Sequence, residues 1–133
     1  MMNKLFTKIS VILLAAISLL PFSSLSMAHG HDFSSVTYTW TEGAFKGGKY
    51  KLDILGEKKL KWEGLAGPEK DMSAIEEKVS IIKLDDNRTL ITWLEAVGYT
   101  VTVIVNTKSG DVHGVVSNQK EHYMLVGKTD KLK

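Results

Sequence analysis

From residue 36 onward the sequence is a series of short runs in which apolar and polar residues alternate, each ended by turn-forming residues. The first run places Val36, Tyr38 and Trp40 on one face of a strand and threonines on the other. The same pattern recurs over residues 49–54 and 59–63. Alternation of this kind, with little helical periodicity, predicts antiparallel strands with one dry face and one wet face.

Turn residues divide the rest of the chain into further predicted strands. These lie at residues 79–84, 90–97, 99–106, 112–117 and 121–127. The segment 64–78 is less regular and fits a short helix or a loop, because Gly67-Pro68 interrupts it. The total is about eight strands with short connections. Since closure hides exposed strand edges, we predict an all-β, antiparallel barrel over residues 36–133, with a flattened sandwich as the alternative.

The first 28 residues have the pattern of a secretory signal peptide. Lys4 and Lys8 precede an apolar run over residues 9–20, and small residues at positions 26 and 28 offer a cleavage site. The run is too short to span a bilayer, which needs about 20 residues. We therefore expect cleavage, no stable membrane insertion afterwards, and a bacterial protein located in the periplasm or secreted, with residues 29–35 as a flexible N-terminus.

Charge and cysteine content exclude several classes of function and of stabilisation. The predicted signal carries two of the 17 basic residues, so the remainder balances the 15 acidic ones. A near-neutral domain lacks the basic footprint that nucleic acids and anionic membranes attract. The sequence has no cysteine, so no disulfide contributes to stability and the fold depends on packing.

Large aromatic residues fall on the predicted inner face of the sheet. They are Tyr38, Trp40, Tyr50, Trp62 and Trp93. Aromatic walls with a few polar groups are typical of a pocket for a flat or apolar small molecule, although the same residues would also build an ordinary packed core. His113, beside Gly114 on a late strand, is a further candidate for lining the cavity, with a surface or structural role as the alternative.

Glu95 is the most informative polar residue of the predicted barrel. On the strand predicted at 90–97 it shares a face with Trp93 and Val97, so its surroundings are at least partly dry. Burial raises the pKa of a carboxyl and would let Glu95 act as a proton donor or as a hydrogen-bond partner for a ligand. A solvent-facing position, or a structural pairing with Tyr38, is the alternative interpretation.

The predicted mature N-terminus carries two histidines. Cleavage after Ala28 would leave a chain that begins His29-Gly30-His31. A free amine, two deprotonated backbone amides and a histidine at the third position supply four nitrogens in a plane, a geometry that suits Cu(II) or Ni(II). Copper or nickel binding at His29 and His31 is therefore a hypothesis that depends on the cleavage site.

Three motifs occur in the order and approximate spacing of one known family: Tyr38-Thr39-Trp40, Thr92-Trp93-Leu94-Glu95 and Val112-His113-Gly114-Val115. Over residues 36–117 the chain resembles phenolic acid decarboxylases and the lipocalin-like domain of molybdenum-cofactor-biosynthesis protein F (MoaF-like). The resemblance implies a calycin (lipocalin-like) barrel with a ligand cavity, and makes a homodimer an expectation.

The resemblance carries over only part of the decarboxylase site. In those enzymes two tyrosines and an arginine bind the substrate carboxylate, and a glutamate protonates the alkene carbon or contacts the phenol. Tyr38 and Glu95 match two of these positions. Trp40 replaces the second tyrosine, and no arginine lies near residues 67–68.

The sequence therefore favours a binding module over an enzyme. We expect an exported calycin-like barrel that holds a small apolar or aromatic molecule, with Tyr38 and Glu95 as polar contacts. A cofactor-free phenolic acid decarboxylase with Glu95 as proton donor is the alternative, and metal capture at His29 and His31 is a third hypothesis.

Overall fold

A computed structural model describes residues 32–133 of the chain. The predicted signal peptide, His29 and His31 lie outside the described residues. Residues 32–133 form nine strands and no helix, and accordingly no helix among them has the length and hydropathy needed to cross a membrane. The strands are β1 (Ser35–Glu42), β2 (Lys49–Gly56), β3 (Lys59–Ala66), β4 (Ser73–Glu76), β5 (Val79–Lys83), β6 (Arg88–Leu94), β7 (Thr100–Asn106), β8 (Asp111–Ser117) and β9 (His122–Leu132).

All nine strands belong to one sheet in the order β4-β3-β2-β1-β9-β8-β7-β6-β5, and every neighbouring pair is antiparallel. The two edge strands, β4 and β5, are consecutive in the chain and run in the same direction. The segment 73–83 thus acts as one interrupted strand whose first half pairs with β3 and whose second half pairs with β6. The sheet is a nearly closed barrel, which confirms the predicted all-β, calycin-like class.

Two details of the sequence-based strand prediction are wrong. In the irregular segment 64–78 the predicted loop is present over residues 67–72, but it is followed by the strand β4, which was not predicted. The strand predicted at 90–97 ends at Leu94, and the chain turns over residues 95–99. Val97 is 79% exposed, so it does not share an inner face with Trp93, which is buried.

Aliphatic residues fill one half of the barrel and aromatic residues line the other. The fully buried aliphatic side chains are Val36, Leu52, Leu60, Ile91, Val103, Val105 and Val112. In the aromatic half, the Trp40 ring occupies space that two glycines leave free, since a Cβ at Gly114 would lie 2.6 Å from the ring and one at Gly127 would lie 2.9 Å from it. Packing is therefore tight at the base of the aromatic half.

Thr89 is a fully buried residue of β6 whose hydroxyl oxygen has no hydrogen-bond partner among the described residues. An unsatisfied buried hydroxyl opposes folding, so Thr89→Val is expected to raise the free energy of unfolding by about 1 kcal/mol. Thr92→Val is the matched control, because the Thr92 hydroxyl donates to the Val101 carbonyl (3.0 Å) or pairs with the Thr102 hydroxyl (2.8 Å). Urea unfolding measures the free energy of unfolding of both variants. An equal change in the two variants would contradict the prediction.

Candidate functional site

A pocket opens at the end of the barrel where β1, β3, β6 and β8 end. Loops 43–48, 67–72, 95–99 and 118–121 surround this end. The space between atoms at this end is about 440 Å³, a volume that includes the open mouth. The part of this space that the centre of a water molecule can occupy is about 50 Å³. The lining residues are Tyr38, Trp40, Phe45, Tyr50, Trp62, Glu69, Trp93, Glu95, Val101, Val116 and Leu125. In this conformation the pocket has room for a compact group, such as one end of a small molecule.

The aromatic wall of the pocket follows from strand alternation. Tyr38 and Trp40 are two residues apart on β1 and both point inward, and Tyr50 is the β2 residue paired with Tyr38. The Tyr38 and Trp40 rings meet edge to face with centroids 4.9 Å apart, and Tyr38 stacks on Tyr50 at 5.9 Å. The three rings form one continuous aromatic surface.

Loop 67–72 carries Glu69 over the pocket because it folds back onto β3. The Gly64 amide donates to the Met72 carbonyl (2.8 Å), and the Asp71 amide donates to the Gly64 carbonyl (2.9 Å). A Cβ at Gly64 would overlap the carbonyl oxygen of Glu69 and lie 2.6 Å from its carbonyl carbon. The half-buried Glu69 therefore reaches the pocket only because residue 64 has no side chain.

Glu95 lies in the turn after β6, where its amide donates to the Tyr99 carbonyl (2.8 Å) and its carbonyl accepts from the Gly98 amide (2.9 Å). Its carboxyl is half-buried in the pocket. Burial, followed by the negative charges of Glu76 and Glu69, raises the pKa of Glu95 to about 7. Glu95 thus exchanges its proton near neutral pH.

Two buried indole N–H groups lie beside carboxyls without completing a hydrogen bond. The Trp62 and Trp93 indole nitrogens have no hydrogen-bond partner within residues 32–133. Each nevertheless favours the ionised form of a nearby carboxyl: Trp62 lowers the pKa of Glu76, against the larger raising effect of burial, and Trp93 lowers that of Glu95 in the same way. The two contacts are close enough for electrostatics but fall short of hydrogen-bond geometry.

The two pocket tyrosines stay neutral. Burial, then the proximity of Tyr50 and the charges of Glu69 and Glu95, raise the pKa of Tyr38 far above its ordinary value. Burial and the charge and hydrogen bonding of Glu69 raise the pKa of Tyr50 in the same direction. Both hydroxyls therefore remain protonated at all physiological pH values and act as hydrogen-bond donors, that of Tyr50 toward Glu69.

A polar cluster ties the rim of the pocket together. The Tyr99 hydroxyl donates to Glu121, and the Tyr123 hydroxyl donates to the same carboxylate at 3.2 Å. Tyr123 also meets Phe45 edge to face with centroids 5.7 Å apart. Loops 43–48, 95–99 and 118–121 are thereby connected around the mouth.

The structure gathers six of the seven ligand-contact candidates predicted from the sequence. Tyr38, Trp40, Tyr50, Trp62, Trp93 and Glu95 all line the pocket. His113 does not, because it is exposed on the outer face of β8 while its neighbours Val112 and Gly114 point inward. Phe45 and Glu69 line the pocket from loops and were not predicted.

The described pocket lining contains no cationic side chain. Arg88 pairs with Asp85 at 2.7 Å, at the start of β6, and is absent from the pocket lining. Within residues 32–133 no group of three histidine, aspartate or glutamate side chains is arranged to hold a metal ion. Metal binding at His29 and His31 stays a prediction, because both lie outside the described residues.

Fold and site together define a calycin-like β-barrel with an aromatic and carboxylate-lined pocket at one end. The model of the MoaF-like family matches residues 40–130, so the chain belongs to that family. A comparison with curated proteins gives no match. Among solved structures, a Burkholderia vietnamiensis protein described as a "putative beta-lactamase" superposes with a TM-score of 0.61 at 16% identity, covering 72% of this chain and 89% of that one. At that identity the likeness concerns the fold alone.

Proposed function

We propose that this chain is an exported binding protein whose barrel holds one small apolar or aromatic molecule. The observation that carries the proposal is the pocket itself, a concave space walled mainly by aromatic rings and supplied with a few polar groups. A concave, mostly apolar lining with a few polar groups is typical of small-molecule sites. Export is supported by the signal-like pattern of residues 1–28.

Intrinsic fluorescence tests the binding proposal directly. The chain has three tryptophans, and Trp40, Trp62 and Trp93 all line the pocket, so an aromatic probe bound there should change their emission. Titration with benzyl alcohol is expected to give a saturable change with a Kd on the order of a millimolar, the range that so small a ligand allows.

Two valines on β8 provide a matched pair of variants for this titration. Val116 lines the pocket, and Val115 is on the opposite face of the same strand. Val116→Phe should fill the pocket and abolish the fluorescence change, while Val115→Phe should preserve it. The proposal would be refuted if the fluorescence of the wild type did not saturate with benzyl alcohol, or if both variants bound it equally.

A second candidate is the decarboxylation of a phenolic acid, which one observation favours. Glu95, with its pKa near 7, lies in one pocket with Tyr38 and could deliver a proton to a substrate carbon. We place it second because the carboxylate of such a substrate would enter beside Glu69 and Glu95, where like charges repel. Release of a vinylphenol by the wild type but not by Glu95→Gln would establish this activity, and no release would eliminate it.

A further inference from the structure

The pocket carries negative charges that no cationic side chain of its described lining balances. Glu69 and Glu95 line it, and Glu76 is close enough for its charge to act on Glu95. The described lining includes no lysine, arginine or histidine. Lys70 follows Glu69 in the chain but is exposed and outside the lining. An anion entering the pocket would therefore find only like charges, whereas a cation would find two carboxylates.

Lys51 and Lys61 of the neighbouring strands β2 and β3 do not change this balance, because alternation directs both side chains outward. On β2, Lys51 pairs with Asp53 at 3.3 Å, and on β3, Lys61 pairs with Glu63 at 2.9 Å. Each of these lysines is thus matched with a carboxylate on the outer face. The pocket carboxylates are left without a cationic partner among the described residues that line the pocket.

The aromatic wall favours the same kind of ligand. The rings of Tyr38, Trp40 and Tyr50 present one continuous surface, with centroid separations of 4.9 and 5.9 Å. Aromatic faces are electron-rich, and they attract ammonium groups most strongly where water is excluded. Tyr38 and Trp40 are 3% and 4% exposed, so this surface is largely dry.

The indoles of Trp62 and Trp93 indicate how the neighbouring carboxylates would be positioned when a cation binds. The Trp62 and Trp93 residues are 9% and 4% exposed, and their buried N–H groups lack a hydrogen-bond partner in the part of the chain that the structure describes. These indole nitrogens are buried out of reach of a ligand, but the adjacent carboxyls of Glu76 and Glu95 can reach them and accept their hydrogen bonds. A bound cation would keep Glu95 ionised, and a short shift of its carboxylate would satisfy the Trp93 N–H.

From these four observations we infer that the pocket selects a small organic cation, with an ammonium group held by Glu69 and Glu95 against the rings of Tyr38, Trp40 and Tyr50. The inference rests on the proposed binding function and specifies the chemical class of its ligand. The space open to water centres, about 50 Å³, limits the bound part to a compact head group.

Three probes of one size and different charge test this inference on the wild-type protein. They are benzylammonium, benzyl alcohol and benzoate, each titrated at pH 8 and low ionic strength with tryptophan fluorescence as the readout. Benzylammonium is expected to bind at least tenfold more tightly than benzyl alcohol, and benzoate to bind more weakly than either.

The outcomes separate this inference from the proposed function. Equal or tighter binding of benzyl alcohol, or preferential binding of benzoate, would overturn the selection of a cation while leaving a binding barrel in place. Binding of none of the three probes would refute the binding function and this inference with it.

A charge-neutral variant identifies the carboxylate responsible. Glu95→Gln is expected to reduce the preference for benzylammonium over benzyl alcohol at least fivefold, while benzyl alcohol still binds. Glu77→Gln is the matched control, because Glu77 is 78% exposed in the turn between β4 and β5 and outside the pocket lining. The same loss of preference in both variants would show a general charge effect and would contradict the assignment to Glu95.

Discussion

Replacing Gly64 with alanine is expected to lower the free energy of unfolding by about 3 kcal/mol, as overpacking against rigid backbone does. The new methyl group would overlap the carbonyl of Glu69, and backbone cannot swing aside as a flexible side chain does. Loop 67–72 would have to lift from β3, breaking the Gly64–Met72 and Asp71–Gly64 hydrogen bonds. Because the loop carries Glu69, ligand binding should weaken together with stability.

Gly56→Ala is the control for this substitution. Gly56 ends β2, and a Cβ there would meet no atom within 4 Å. Its stability is therefore expected to stay within about 0.5 kcal/mol of the wild type, as at other open surface positions. Denaturant unfolding of both variants measures the effect, and a Gly64→Ala protein as stable as Gly56→Ala would show that loop 67–72 is not pressed onto β3 as described.

The aromatic half of the pocket could be predicted from the sequence because it depends on local alternation. Residues two apart on a strand share a face, so Tyr38 and Trp40 had to point the same way. The same rule should have excluded His113, because its neighbours Val112 and Gly114 are the residues that face inward. The presence of Gly114 beside His113 did not reveal which of the two residues faces inward. Gly114 does, because the Trp40 ring occupies the space that a side chain at this position would fill.

Glu95 was predicted at the pocket through a strand position that it does not have. It follows the last residue of β6 and enters the pocket from a turn. The prediction of a partly dry environment agrees with its half-buried side chain, but the pKa of Glu95 is raised further by the charges of Glu76 and Glu69, which are distant in sequence. Such proximity depends on tertiary structure and leaves no periodic signal.

The residues that sequence reasoning missed belong to segments where the usual pattern is absent or reversed. Glu69 lies in a loop after Gly67-Pro68, and no periodicity indicates where a loop residue points. In β4 the alternation is inverted, because Ile75 is 56% exposed while Glu76 is 7% exposed. A strand with its apolar residue outside and its carboxyl inside has the sequence pattern of an irregular polar segment.

The buried carboxyl of Glu95 should make stability depend on pH, and Glu95→Gln should remove that dependence. Near pH 4 the two proteins are expected to be equally stable, since glutamine resembles a protonated glutamate. At pH 8 the variant should be more stable by roughly 2 kcal/mol. A pKa held at about 7, against an ordinary value of 4.5, corresponds to about 3.4 kcal/mol for a fully buried group, and the exposure of the half-buried carboxyl reduces this.

The direction of the effect follows from which state releases the proton first. Below pH 4.5 the carboxyl is protonated in both the folded and the unfolded chain. Between pH 4.5 and 7 the unfolded chain loses the proton while the folded chain keeps it, so the stability of the wild type falls as the pH rises. Above pH 7 both states are ionised and the difference is constant.

The comparison with Glu95→Gln isolates this group from others that titrate. Glu76 also has a raised pKa through burial and stays in both proteins, while Asp85 and Asp111, whose pKa values are lowered by their partners Arg88 and Lys128, act at lower pH. The pocket tyrosines stay neutral across the range. Urea unfolding at intervals from pH 4 to pH 8 gives the difference curve. A flat curve would mean that Glu95 is ionised in the folded protein like an exposed glutamate, and the proton donor that the proposed decarboxylation requires would be absent.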